Sequence, residues 1–489
     1  MDNTFMTNLK DAFNYTSTAN GALAHKSTNS AVYDMFAFGG AYRNKTDGDI
    51  ILLFKNALDE NTSLAMKCLF YLRDCIYGQG ERRFFRTAFR WLTNNYPEIA
   101  WRCFFAFETN MCRWDDLIYT CINTPLETHM INMIAKQLRV DLKCKTPSLL
   151  AKWMPSENTS SFKTKSTAYI LRTRLGLTSR EYRKVLSELR NKINIVERLM
   201  SENRWDEIEF DKIPSKAGLK YKNAFARRDI IAEKYNRFMT NESTTVNAKT
   251  LYPYEVVAEA LKINTDNEVV EKYWKNLPDY LNGNPCKILC VVDTSGSMTW
   301  GYNSSNVKPL NVAISLGMYC AERISGPFKN HYISFSRYPQ LIKIEGVNFK
   351  DKVRRIYNTN LCENTDLERT FNLIFDMATQ KNVKKEDIPE TIVVISDMQI
   401  DQGSCWSNKY EALTDMEMIH KKFAAAGLEC PKLVYWNVNA AKPVILDASP
   451  NVSYVSGMSP VLFEQILSGK TGYDLMLDKL NSERYKDIH

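Results

Sequence analysis

The stretch VVDTSGSMTW, residues 291–300, places Asp293, Ser295 and Ser297 at alternate positions directly after an apolar run. A second apolar run, TIVVISD, ends on Asp397, and the intervening NTNLCENTDL supplies Thr365 just before a helical pattern. In an open α/β sheet, ligands sit beyond the carboxyl ends of the strands. Two carboxylates and three hydroxyls are hard oxygen donors, and together they suit an octahedral Mg2+ or Mn2+ that keeps some of its waters. The competing reading is a Ser-Gly turn with a capping aspartate. Serine nucleophile chemistry is poorly supplied. DTSGS lacks the G-x-S-x-G elbow, and His25, His129, His331, His420 and His489 lie in no supporting motif. With no positioned base and no second metal cluster beside the ligands, the expectation is a protein that is not an enzyme.

A second chemistry is carried by charge. The chain of 489 residues has a formal net charge of +8, but residues 285–489 are neutral, with 23 basic and 23 acidic side chains. The excess lies in residues 1–284, and most of it in 161–198, where 10 basic residues face 3 acidic ones. A basic helix face neutralises phosphates without reading sequence. The candidates are Lys163, Lys165, Arg172, Arg174, Arg180, Arg183, Lys184, Arg190 and Lys192, with Lys216, Lys220, Lys222, Arg227 and Arg228 close behind. Phe162, Tyr169, Tyr182, Tyr221 and Phe225 are interleaved, and rings of this kind stack on unpaired bases. The plainer reading is a solvated helix face, with Tyr182 placed like a core residue.

The elements that must position these groups follow from periodicity. Residues 1–30 are polar and rich in Asn, Thr and Ser, and read as a loosely held arm. From 31 to 280, segments such as IILLFKNALDE and ERRFFRTAFRWLTNNY repeat apolar residues three or four apart, separated by breaks such as GQG and YPE. Short helices with short breaks point to stacked helix pairs of a degenerate, HEAT-like repeat. GQGERRFFR reads as a helix–helix turn with Glu81 and Arg82 or Arg83 in structural ion pairs, and RWDDLI as a helix start with Trp114 and Leu117 in the core. After LNGNP at 281–285 the pattern changes to short apolar strands alternating with amphipathic helices, the signature of a parallel sheet covered on both faces. A mainly α, helical-repeat region is therefore expected before a doubly wound α/β domain at 285–489.

Two resemblances fit this layout. The order D-x-S-x-S after the first strand, a threonine about seventy residues on and an aspartate at a later strand end resembles the metal-ion-dependent adhesion site of von Willebrand factor A domains. The resemblance implies that Ser295, Ser297 and Thr365 bind metal through their hydroxyls, with Asp293 and Asp397 acting directly or through water. It also implies an open coordination position that a partner's acidic side chain fills. The helical part, through RDCIYGQGERRFFR, RWDDLI, AKWMPSEN, LTSREYRKVLSELRNKINIVE and IPSKAGLKYKNAF, resembles a helical-repeat family fused to a C-terminal A domain and found in plants and large DNA viruses. That family is similar in layout to TROVE-domain Ro proteins, which bind small structured RNAs and the ends of misfolded non-coding RNA.

The resulting expectation is a Ro-like RNA-binding scaffold, with a Mg2+-binding A domain that closes the structure or recruits a partner. The alternative is a metal-dependent protein-interaction module that binds no RNA. No signal-peptide core, no membrane-length apolar run and no C-x-x-C pair among the twelve cysteines is present, so a cytoplasmic protein with reduced thiols is expected.

Overall fold

The computed structural model describes residues 14–109, 111–193, 195–299, 307–335, 339–358, 367–380, 383–400, 415–439, 442–447, 449 and 451–489. A short antiparallel hairpin, β1 (Tyr15–Ser17) and β2 (Leu23–His25), precedes the helices α1 (Ala31–Gly39), α2 (Asp47–Glu60), α3 (Thr62–Arg73), α4 (Arg82–Asn95), α5 (Pro97–Arg102), α6 (Trp114–Cys121), α7 (Glu127–Lys143) and α8 (Leu150–Trp153). The helical region continues through α9 (Phe162–Arg174), α10 (Ser179–Ile193), α11 (Val196–Ser201), α12 (Ser215–Arg227), α13 (Asp229–Thr240), α14 (Pro253–Ala260) and α15 (Asn267–Lys275).

Local chemistry explains many of these boundaries. Thr46 and Asp49 form a reciprocal capping box on α2, and Asn61 accepts from the Leu64 N–H to start α3. Pro97 and Pro253 open α5 and α14, where a missing N–H is harmless. On α4 the residues Phe84, Phe85, Ala88, Phe89 and Leu92 are fully buried, while Arg82, Arg83, Arg86 and Arg90 lie off that stripe.

The C-terminal region is a six-stranded sheet of β3 (Ile288–Asp293), β4 (His331–Phe335), β5 (Gln340–Lys343), β6 (Thr391–Ser396), β7 (Lys432–Asn437) and β8 (Val452–Ser456), in the order 5-4-3-6-7-8. Helices α16 (Pro309–Arg323), α17 (Phe349–Asn358), α18 (Leu367–Ala378), α19 (Asp415–Ala425), α20 (Leu462–Ile466) and α21 (Gly472–Leu480) accompany it. The four central strands are buried, or nearly so, along their length, as a sheet covered on both faces requires. One strand departs from the all-parallel expectation: β5 pairs antiparallel with β4. It is an exposed edge strand whose short connection from β4 permits only that direction.

The α/β domain holds both ends of the helical region. Helix α1 packs on β8 and α21, while α14 packs on α16 and α15 on α17. The helical region also meets itself. The Tyr252 hydroxyl donates to the Gln79 carbonyl at 3.1 Å, and that of Tyr280 to the Ile76 carbonyl at 3.3 Å. Gly80 sits here at φ +66°, and a Cβ would collide with the Tyr252 hydroxyl, so this turn needs glycine twice over. Buried Asp74 ties the same turn to the C-terminal segment through Arg484 at 2.8 Å.

The stretch expected to be a loose arm is, from residue 14 onward, fastened to the α/β domain. His25 and Ile445 exchange backbone bonds at 2.7 and 2.9 Å, and the Thr18 hydroxyl donates to the Ile400 carbonyl at 2.6 Å. Backbone pairing across such a sequence distance is invisible to composition. No described helix is long and apolar enough to cross a membrane.

Candidate metal centre and nucleic-acid interface

Strands β3 and β6 are parallel neighbours in register at Val292 and Ile395. From them the chain crosses over in opposite directions, to β4 on one side and β7 on the other. Their carboxyl ends therefore border a topological switch point, where an open sheet leaves a crevice. Asp293 closes β3, and Asp397 follows β6 directly. Both side chains are fully buried. Ser295 and Ser297 lie on the turn that begins the short 3-10 segment Gly296–Thr299.

The oxygens converge. The Ser295 and Ser297 hydroxyls are 3.0 Å apart, and the Ser297 hydroxyl donates to Asp397 Oδ1 at 3.3 Å. The Ser295 N–H donates to Asp293 Oδ1 at 2.9 Å. Two further residues, not singled out from sequence, orient the carboxylates. The Ser396 hydroxyl donates to Asp293 Oδ2 at 2.5 Å, and Gln399 donates to Asp397 through its backbone N–H at 3.2 Å and its side chain at 2.8 Å. The usable signal was adjacency alone: Ser396 directly precedes Asp397. Thr365 lies outside the described residues.

Burial, and then the Asp293 carboxylate, push the Asp397 carboxyl up to about 7. Two buried carboxylates this close oppose each other's ionisation, and a divalent cation would relieve that opposition. The donor set of Asp293, Ser295, Ser297 and Asp397 is all oxygen, which fits a hard ion such as Mg2+ or Mn2+. Among the described residues no group of three or more His, Cys, Asp or Glu could hold a metal. Zinc-type sites are therefore not seen there. The described cysteines are free thiols.

The basic candidates divide into two sets. In the first, the donors are committed within the fold. The Arg190 guanidinium donates to the carbonyls of Ala151 and Met154 and to the Ser156 hydroxyl, each at 2.9 Å. Lys222 is buried against Glu259. Arg172 pairs with Glu157 at 3.0 Å, Arg174 with Glu127 at 2.7 Å and Lys216 with Glu255 at 3.0 Å. Lys192 donates to the Leu142 carbonyl at 2.7 Å, and Arg183 to the Ser179 carbonyl at 3.2 Å. Arg228, exposed and without an ion pair among the described residues, belongs with the second set; its guanidinium lies over the Trp205 ring at 4.9 Å.

In the second set, Lys163, Lys165, Arg180, Lys184, Lys220 and Arg227 are exposed and make no ion pair among the described residues. Lys163 and Lys220 instead sit over the Tyr119 and Tyr221 rings, at 5.1 and 4.8 Å. Tyr182 and Phe225 are core residues at 1% and 0% exposure, so neither is a stacking platform. Phe162 and Tyr169 are exposed.

The two short helical motifs build one ionic cluster. Asp116, fully buried, accepts from Arg73 Nε at 2.7 Å, Arg86 Nε at 2.6 Å and the Arg113 N–H at 3.0 Å. Asp115 binds Arg86 at 2.7 Å and Arg113 at 2.8 Å, and Arg113 stacks on Trp153 at 3.7 Å. The GQG turn carries the expected ion pairs. Glu81 pairs with Arg43 at 2.7 Å and Arg83 with Asp47 at 2.8 Å, while Arg82 is exposed and makes no ion pair among the described residues.

A partly open cavity of about 1030 Å³ in the helical region is lined from Cys75 to Thr250. Glu108, Glu197, Glu207 and Glu209 line it together with Arg113, Lys152 and Lys212. The basic surplus thus lies outside this cavity, on α9, α10 and α12.

A helical region clamped at both ends by an α/β domain with an oxygen-lined crevice is the class that fold and site define. Two family models match, both described as domains of unknown function: DUF2828 over residues 18–114 and 127–284, and DUF7788 over 287–487. The uncharacterized protein L728 of Acanthamoeba polyphaga mimivirus is 30% identical, across 94% of this chain and 85% of that protein. The chain belongs to the DUF2828 family that these matches define. Among solved structures, the Ro (RSR) protein of Deinococcus radiodurans aligns over 94% of this chain and 100% of its own, at 12% identity and a TM-score of 0.37. A likeness that distant carries no argument about function.

Proposed function

We propose that this protein is an RNA-binding scaffold, with its C-terminal half an A domain that closes the helical region around a Mg2+-type site. The observation that carries the reading is a set of exposed cations that make no ion pair among the described residues: Lys163, Lys165, Arg180, Lys184, Lys220 and Arg227. They sit on three helices of one region, while the α/β half is neutral. Such a surface binds phosphates by releasing counterions, so affinity falls steeply with salt. The test is a gel shift with a structured RNA at about 50 and 200 mM salt. Binding at micromolar protein or tighter that collapses at the higher salt is expected; no shift at the lower salt refutes the reading.

A second reading has its own observation. The convergence of Asp293, Ser295, Ser297 and Asp397 supports a metal-dependent contact with an acidic protein partner. In that case partner capture in a pull-down requires Mg2+, is abolished by a chelator and by Asp293→Ala, and is indifferent to RNA.

A further inference from the structure

A groove of about 670 Å³ runs along the outer face between α4, α6 and α9. Its volume is in the range of small-ligand clefts, about 300–1,000 Å³. Arg86 and Arg90 enter it from α4, Tyr119 from α6, Trp153 from the end of α8, and Phe162 and Lys163 from the first turn of α9. Only Asp115 among the lining residues is acidic, and Arg86 and Arg113 already neutralise it.

The charge left over is specific. Arg86 is committed to Asp115 and Asp116. Arg90 donates one N–H to the Tyr119 carbonyl at 2.7 Å and forms no ion pair among the described residues. Lys163 likewise has no carboxylate partner among the described residues; its ammonium lies over the Tyr119 ring at 5.1 Å, and the Arg86 guanidinium is also 5.1 Å from that ring. Arg90 and Lys163 therefore leave donors for an anion.

The rings are just as specific. Phe162 is 86% exposed and Tyr119 38% exposed. Phe162 does not sit on a loose loop: Ser161 caps α9 by accepting from the Thr164 N–H at 3.3 Å. A solvated aromatic held on a capped helix, in a groove with two cations that have no ion pair among the described residues, matches a ligand with one flat face and one negative charge.

We infer that this groove is a subsite for an unpaired RNA nucleotide, with its base stacked on Phe162 and its phosphate held by Arg90 and Lys163. The inference rests on the RNA-binding reading and narrows it, because a base locked in a duplex cannot offer its face to a side-chain ring. It also places Arg90 in a role that the charge run at 161–198 does not contain.

The experiment measures fluorescence anisotropy of the full-length protein with a labelled single-stranded ten-nucleotide RNA and with a fully paired hairpin. Phe162→Ala is expected to weaken single-strand binding about tenfold, the loss typical of one stacked base, and to leave the hairpin nearly unchanged. Arg90→Ala with Lys163→Ala is expected to lower the salt dependence by up to two counterions. Phe162 is solvent-exposed, so its variant should keep the wild-type melting temperature. If wild type binds single strands and these variants match it within twofold, the subsite is refuted and the RNA reading stands. If wild type binds neither RNA, both fall.

Discussion

The oxygen-lined crevice and the basic helical face are built on opposite plans. In the α/β half, two neighbouring strands end side by side, and pairing register alone brings Asp293 and Asp397 together across about a hundred residues of sequence. Backbone N–H groups and small hydroxyls then aim the carboxylates. In the helical half, the cations are spread over helix faces, and each is recruited or spared by whatever packs beside it. Arg190 and Lys222 anchor the fold, while Arg180, Lys184 and Arg227, similar in sequence context, reach solvent. A site made by strand ends is set by topology; a charged helix face is divided by packing.

The largest perturbation should come from Asp116→Ala. It strips a fully buried carboxylate from Arg73 and Arg86 and leaves their charges uncompensated, at a cost of about 3–5 kcal/mol. Urea denaturation should show that loss, and a change below about 1 kcal/mol would break the claim that the helical cations include a structural class. The metal plan is tested next. Saturating Mg2+ at a hundredfold excess over Kd stabilises by about 2.7 kcal/mol, so melting should rise relative to a chelated sample. Ser295→Ala should shrink that rise and Asp293→Ala remove it. Identical curves with ion and chelator would remove the contrast by making the crevice a plain turn.

The division among the cations is sharpened by paired variants. Reversing Lys165, Arg180, Lys184 and Arg227 to glutamate should cut RNA affinity at least about tenfold at low salt with little change in melting. Arg190→Ala should do the reverse, lowering melting and sparing affinity. If both sets behave alike, packing does not divide the face.

The smallest expected effect lies away from both sites. His420 on α19 stands 3.0 Å from buried Asp447. Bonds to Asp447 and then Cys430 raise its imidazole to about 10. A pKa raised on folding stabilises fully below the unfolded value of about 6.5, and that stability is lost as pH rises toward 10. Wild type should therefore lose melting temperature between pH 6.5 and 10, and His420→Gln should lose less. An equal loss in the two proteins would show that this pair contributes no pH dependence.

Much of the α/β half was legible because strands announce themselves. ILCVVD, TIVVIS and KLVYWN are continuous apolar runs, and each is a buried strand at its expected place. Edge strand β5, half-polar and only four residues long, carries too little pattern to be read. Among the ligands, Asp293 and Asp397 were visible as strand ends. Ser396 and Gln399 were not, because a hydroxyl or amide beside a carboxylate has no period of its own. In the helices the apolar stripe was readable, so Tyr182, Leu186 and Leu189 fall in the core as expected. The groove was not. Arg90, Tyr119 and Phe162 belong to three helices, and no local pattern links them.

Residue order alone settled the element types, the change from helical to alternating architecture, the site's oxygen chemistry and the location of the net charge. Those are local properties, written in periodicity and side-chain type. Tertiary structure alone decided which cations are free, that residues 14–27 dock on the α/β domain, and that one domain holds both ends of the helical region. Each depends on which distant surfaces meet, and burial acts on surfaces that only the folded chain brings into contact.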